Sequence, residues 1–189
     1  MAVIKIETIG VADVEATGGF NHTEIYIAEL KHFETLTQPL ERDGDGSATT
    51  LAELVEISAD HTFLTGFGFT KVKAIQDTVS LESNGAGTPK KSSIFENKLV
   101  FEMLGSESDI LGLQRYLKGK DVVVLATEAE SGRLRQIGSA RRGGTMSEYG
   151  AIIGANVEDD NVCKFTFMDK QKYPAPIYEG TITLQPAVV

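Results

Sequence analysis

The sequence predicts a mainly β protein, a sandwich or barrel, with one α-helix near 106–118 flanking its sheet and long hairpin or loop extensions. Three observations carry this prediction. Residues 98–104 form an apolar run with polar flanks, as strands do. Residues 121–125 (Asp121, Val122, Val123, Val124, Leu125) are the most β-branched run of the chain, and short continuous apolar runs of this kind read as buried strands. Between them lies the most definite helix signal in the chain, with Ile110, Leu113 and Leu117 at i, i+3 and i+7.

The ends of that helix follow from capping chemistry. Gly105 breaks the preceding strand, and Ser106 stands three residues ahead of Asp109, as an N-cap with an acidic N3 does. Arg115, Lys118 and Lys120 gather near its end, where cations suit the helix dipole, and Gly119 fits the residue just beyond the C-cap.

Length and composition bound the rest. The 189 residues suit one β-rich domain spanning 1–189 with a full core, an N-terminal arm and an extended loop near 82–93. No apolar run approaches the roughly 18–20 residues of a membrane span, so no membrane association is expected. The N-terminal residues show neither the charged nor the long apolar region of a signal peptide. Cys163 is the single cysteine, which excludes an internal disulfide and leaves it as a small buried or half-buried residue.

Charge is unevenly placed. Residues 1–60 hold twelve acids against Lys5, Lys31 and Arg42, which accounts for the whole net charge of −9. The remaining fifteen acids and fifteen bases cancel. An acidic first third does not grip nucleic acid, which requires cationic surface. It fits a solvated face or one side of a charge-complementary subunit contact.

Along the chain, residues 3–7 read as a strand or an ordered arm, and 12–21, with Gly18 and Gly19, as a loop. Residues 23–33 alternate, with Ile25, Ile27 and Glu29 on one side and Glu24, Tyr26, Ala28 and Leu30 on the other. A polar loop spans 38–50, and 51–58 serves equally as helix or strand. Residues 62–81 are β-rich, with Phe63, Phe67 and Phe69 among small residues. The Gly/Ser/Lys segment 82–93 is the most loop-like part, an extended hairpin or a flexible crossing loop. Residues 133–138 pair as a strand with 122–127, a basic turn follows at Arg141–Arg142–Gly143–Gly144, and 149–155, 164–168 and 177–184 are further strands.

Motifs of chemistry fail on inspection, so no enzyme is expected. His22, His32 and His61 lack the spacing of a helical metal face and read as surface or packing residues. Arg141 stands where a nucleophile elbow around Ser139 would need its second glycine. Gly66–Phe67–Gly68 lacks the third glycine of a dinucleotide fingerprint, and Gly119–Lys120 is not a phosphate loop. Glu41, Asp43 and Asp45 with Gly46 follow the start of a calcium loop, but the twelfth position is Ala52 and Pro39 interrupts any entering helix. No cofactor or metal is expected. Arg133, Arg135, Arg141 and Arg142 form the basic concentration, without the aromatics that nucleic-acid stacking uses. With Lys90 and Lys91 they are the candidate subunit-interface residues.

Several segments of the last two-thirds resemble tail-tube and related virion proteins of tailed phages, particularly those of Bacteroidetes hosts. They are the helix between strands at 105–117, the run Arg133-Leu134-Arg135-Gln136-Ile137-Gly138-Ser139, and 143–154. Lys164-Phe165-Thr166-Phe167 followed by Tyr173-Pro174-Ala175-Pro176-Ile177-Tyr178-Glu179-Gly180 completes the set. The resemblance implies a β-sandwich or barrel with one flanking helix. It implies homo-oligomeric, typically hexameric rings that stack into a tube in the virion. DNA then passes transiently and without specificity through the lumen, and other virion proteins are further partners. A head-decoration, tail-terminator or connector protein, or a standalone calcium- or carbohydrate-binding β-module, is the alternative. The segment 82–93 is expected to order on assembly.

Overall fold

The computed structural model describes residues 19–20 and 24–186; the strand or arm expected at 3–7, His22 and most of the loop at 12–21 lie outside them. Among the described residues there are twelve strands and one α-helix. The first strands are β1 (Glu24–Glu29), β2 (Phe33–Thr35), β3 (Glu56–Ile57), β4 (Thr62–Phe63) and β5 (Thr70–Lys73). The long hairpin β6 (Ser80–Ala86) and β7 (Ile94–Leu104) precedes α1 (Ser108–Leu117). Then come β8 (Asp121–Thr127), β9 (Leu134–Ile137), β10 (Gly144–Ile153), β11 (Asn161–Gln171) and β12 (Ile177–Tyr178). The mainly β class with one helix is therefore the observed one.

The run at 122–125 is apolar throughout because both faces of β8 are buried there. Val122, Val124 and Ala126 point into one core, with Ile25, Ile27, Phe101, Phe165, Phe167 and Ile137. Val123 and Leu125 point into a second, with Ile57, Phe69 and Tyr178. The alternation of β1 divides in the same way, Ile25 and Ile27 facing the first core and Ala28 the second. One edge of β8 carries β1, antiparallel from Ile25↔Ala126 to Glu29↔Val122. Its other edge carries β9, as expected for 133–138, and β10 continues that edge at Val122 and Asp121.

The sheet divides at this edge. β9 leads on to β12 and β3, and β10 leads on to β11, β7 and β6, so ten strands form one curled sheet around the first core. Gly138 sits at the fork with φ +98°, and a Cβ there would lie 2.4 Å from the Val122 carbonyl oxygen. No other residue fits that position without moving backbone. β2 and β4 form a separate two-stranded ribbon, whose Phe33 and Phe63 pack against the second core.

Helix α1 presents Leu117 as buried and Ile110 and Leu113 as half-buried residues against the first core. Its start departs from expectation. Glu107, not Ser106, occupies the N-cap, without a side-chain cap bond. The Gly105 N–H is still held by the Asn161 carbonyl of β11, so Ser106 is used in leaving the strand. Gly119, with φ +72°, follows the C-cap as expected. Beyond the helix, Lys120 and Tyr116 clasp the buried Glu29 of β1, which Lys31 also reaches. Desolvation pushes the Glu29 carboxyl up, but these hydrogen bonds outweigh it and hold its pKa at about 2.

Because Leu117 is buried and Leu113 only half so, Leu117→Ala should cost roughly 2–5 kcal/mol and Leu113→Ala clearly less. Urea midpoints of the two variants check the order, and equal small effects would show that α1 is not seated on the core.

Two expected strands need correction, 62–81 and 177–184. Of the two readings open for 82–93 the extended hairpin is the observed one: β6 stays paired to β7 from Ser80↔Val100 to Ala86↔Ile94, leaving only 87–93 as the turn. Glycine and asparagine made it loop-like, but β7 supplies a full hydrogen-bonding partner. The β-rich 62–81 is broken into β4, β5 and the start of β6, and 51–58 is a short 3-10 turn (Ala52–Leu54) followed by β3. Of 177–184, only Ile177–Tyr178 form a strand, with Leu184 bridging to Phe69.

Candidate functional site

At the end of β11 the alternation of a strand sorts charge. Asp169 and Gln171 point inward and are buried, whereas Lys170 and Lys172 point outward. Lys170 pairs with Glu96 across the β7–β11 ladder at 2.9 Å, and Lys172 pairs with Glu41 at 2.8 Å. Beside them the 139–142 turn is closed by the Ser139 N–H on the Arg142 carbonyl (2.8 Å) and the Arg142 N–H on Ser139 Oγ (3.2 Å). That closure leaves Arg141 and Arg142 exposed. Neither guanidinium has an ion-pair partner among the described residues.

These two segments, the 38–41 loop and the turn end of the β6–β7 hairpin enclose a cleft of about 510 Å³. Pro39, Ile94, Ala140 and Tyr173 give it apolar walls, and Arg141 and Arg142 line one side. A second hollow of about 570 Å³ lies on the other flank of the same arginines, floored by Met168 and Asp169. The arginines therefore stand on a ridge between two concavities. Tyr173 donates its hydroxyl to Gln38, and burial, followed by the nearby charges of Asp169 and Glu41, pushes its pKa up.

A buried polar network holds this ridge in place. Asp169 accepts from Asn97 Nδ2 (2.8 Å), from the Gly138 N–H and from Gln171 Nε2. Asn97 Oδ1 in turn accepts from Ser83 Oγ (2.6 Å) and the Ala175 N–H (2.9 Å). The network ties β6, β7, β11, the fork at Gly138 and the 173–175 segment together. Burial pushes the Asp169 carboxyl above its ordinary range, against the pull of its three donors. Gln171 Oε1 is buried without a hydrogen-bond partner among the described residues.

Of the six residues expected at an interface, the structure gathers Arg141 and Arg142 at the cleft, while Lys90 and Lys91 lie in the exposed 87–93 turn whose base borders it. Arg133 and Arg135 do not join them. Arg135 is bound to Glu128 and to the Ala175 carbonyl, and Arg133 is exposed in the β8–β9 connection. Among the described residues of the acidic first third, six of nine acids are engaged within the subunit. Glu24 pairs with Lys71, Glu29 with Lys31 and Lys120, Glu41 with Lys172, and Asp43 with Arg42. Glu53 caps the Thr49 and Thr50 N–H groups, and Asp60 accepts from the Thr181 N–H.

The calcium-like loop is turned outward in the same way, and among the described residues no group of three or more His, Cys, Asp or Glu side chains is placed to hold a metal. His32 stacks on Phe67, and His61 is buried between Tyr178 and Gln136. Cys163 is fully buried, its thiol on the Gly105 carbonyl.

Compared with family models, curated proteins and solved structures, the chain gives no match in any of the three.

The sequence reading missed Lys170, Lys172 and Tyr173. The signal for the lysines was the alternation Asp169-Lys170-Gln171-Lys172, which places both lysines on one face of a strand running past the 164–168 assigned to it.

Proposed function

We propose that this chain is a structural protein that assembles with its own copies, and that the assembly is a ring of a phage tail tube in the virion. The observation that carries the reading is the β6–β7 hairpin. Among the described residues β6 pairs only with β7, so the outer edge of a seven-residue strand carries unpaired backbone groups. Natural proteins cover or pair such edges, and a neighbouring subunit is the simplest cover. The free arginines and the charged turn beside the hairpin add a contact sensitive to salt, because exposed charges are screened over about 8–10 Å at physiological ionic strength. The resemblance of five segments (105–117, 133–139, 143–154, 164–167 and 173–180) to tail-tube proteins is what suggests the ring and the DNA-conducting lumen.

Electron microscopy of the purified chain tests the reading. Rings or tubes are expected, in greater number at low salt, and a monodisperse monomer at every salt concentration overturns it. Arg141→Glu with Arg142→Glu should hinder assembly and leave the thermal midpoint unchanged; rings with unaltered salt dependence would remove the electrostatic component. The 510 Å³ cleft favours a second reading, a ligand-binding β-module, for which the same images would show only monomers.

A further inference from the structure

The far end of the β10–β11 hairpin is the counterpart of the cleft. Its tip, residues 154–160, carries Val157 at 105% exposure, with Ile153 at 68% beside it. Leu104, at 73%, stands at the adjoining end of β7. These are the most exposed large apolar side chains among the described residues. The tip is built rather than loose. The Asn156 N–H and Nδ2 both donate to Asp159 Oδ2, the Asp159 N–H returns to the Asn156 carbonyl, and the Gly154 N–H reaches the Asp160 carbonyl. Asp159 is thereby engaged, while the carboxylates of Glu158 and Asp160 have no cation partner among the described residues.

An apolar knob flanked by two free carboxylates matches an apolar-walled cleft flanked by two free guanidinium groups. The cleft's size lies within the roughly 300–1,000 Å³ of concavities that enclose a small group of atoms. The two cannot meet within one subunit. They sit at opposite ends of β10, whose ten residues at about 3.4 Å each set them roughly 30 Å apart.

We infer that the β10–β11 tip of one copy seats Val157 in the cleft of the next, with Glu158 and Asp160 against Arg141 and Arg142. This contact rests on the reading of the chain as self-assembling and names the surfaces that do it. Its two halves are different patches, so it is head-to-tail: repeated, it closes into a ring or runs on as a filament. Its charges come from the tip and not from the acidic first third, whose carboxylates Glu24, Glu29 and Glu41 are already paired inside the subunit. Specificity comes from the charge match, and the apolar contact at the centre excludes water.

Complementary blocking tests the geometry. A cleft variant, Arg141→Glu with Arg142→Glu, keeps a working tip; a tip variant, Glu158→Arg with Asp160→Arg, keeps a working cleft. Each alone should elute as a monomer where the wild type assembles. Mixed in equal amounts they should assemble together, because the acidic tip of the first fits the arginine cleft of the second and the reversed tip of the second fits the reversed cleft of the first. Combining all four substitutions in one chain should restore assembly. Val157→Asp, at an exposed turn position that no fold contact needs, should raise the concentration required for assembly at least tenfold, in high salt as well as low. If the wild type assembles and these variants assemble equally well, or the mixture stays monomeric, the contact is wrong and the self-assembly reading survives. A wild type that stays monomeric at all concentrations and salts removes both.

Discussion

Phe165→Ala should lower the stability of the subunit by about 3–5 kcal/mol, a large part of the 5–15 kcal/mol that holds a typical domain together. Phe165 is fully buried on β11 and lies directly opposite Phe101 of β7, the two rings nearly parallel with centroids 5.1 Å apart. Phe101 stacks in turn on Phe167, at 6.0 Å. Truncation removes the transfer energy of the ring and leaves a cavity between strands that cannot close, because β7 and β11 are paired over ten residues on this ladder. The matched comparison is Phe67→Ala. Phe67 is 37% exposed and stacks on His32, so its loss should cost only about 0.5–1.5 kcal/mol. Urea titration of both variants decides the matter. Similar midpoints would mean that the sheet does not curl around a core centred on β7 and β11.

Local pattern made some of this architecture readable from the residues alone. Ile110, Leu113 and Leu117 repeat within one helix, and 124–127 of the expected 122–127 pair with the sequence neighbour β9, so short-range information suffices for both. The run 122–126 was legible as a buried strand, but not as the strand between two cores, since periodicity cannot distinguish one covering layer from two. β6 was half-hidden: Asn84 and Gly85 disfavour a strand, and their pairing with Glu96 and Phe95 prevails because the hairpin supplies the hydrogen bonds. The cleft was legible only at Arg141 and Arg142. Its walls come from 38–41, 87–94, 139–142 and 170–173, which no spacing rule brings together. Arg135 shows the converse failure. It reads as a free cation in a basic run, yet Glu128, seven residues earlier, neutralises it across the β8–β9 turn.

Replacing Asp169 should be the most damaging change among the polar residues. Asp169→Ala leaves the Gly138 N–H and Gln171 Nε2 without an acceptor in a buried site, and Asn97 Nδ2 with only the Tyr173 carbonyl at 3.5 Å. An orphaned buried donor costs about 1–3 kcal/mol, so the variant should lose about 3 kcal/mol or more. Asp169→Asn should lose less, about 1–3 kcal/mol, because its oxygen still accepts from Asn97. Its new NH₂ can be met by the Gln171 Oε1 if that amide turns over, which leaves the Gly138 N–H unserved and moves Gln171 Nε2 into the place that Oε1 held. The same half-turn gives a protonated Asp169 an acceptor for its O–H. The pH dependence then has a definite sign. Burial raises the folded-state pKa of Asp169, so below the ordinary carboxyl range, near 4, both folded and unfolded chains are protonated here and the group has no effect. As pH climbs past that value the unfolded chain ionises first, and stability falls until the raised folded pKa is passed. Glu29, held at about 2, acts in the opposite direction, losing its contribution as pH drops below the ordinary range. The difference between wild type and Asp169→Asn isolates the first effect, since Glu29 is common to both. That difference should narrow steadily as pH rises from about 4, and a gap that widens would mean that the three donors, not burial, set the charge of Asp169.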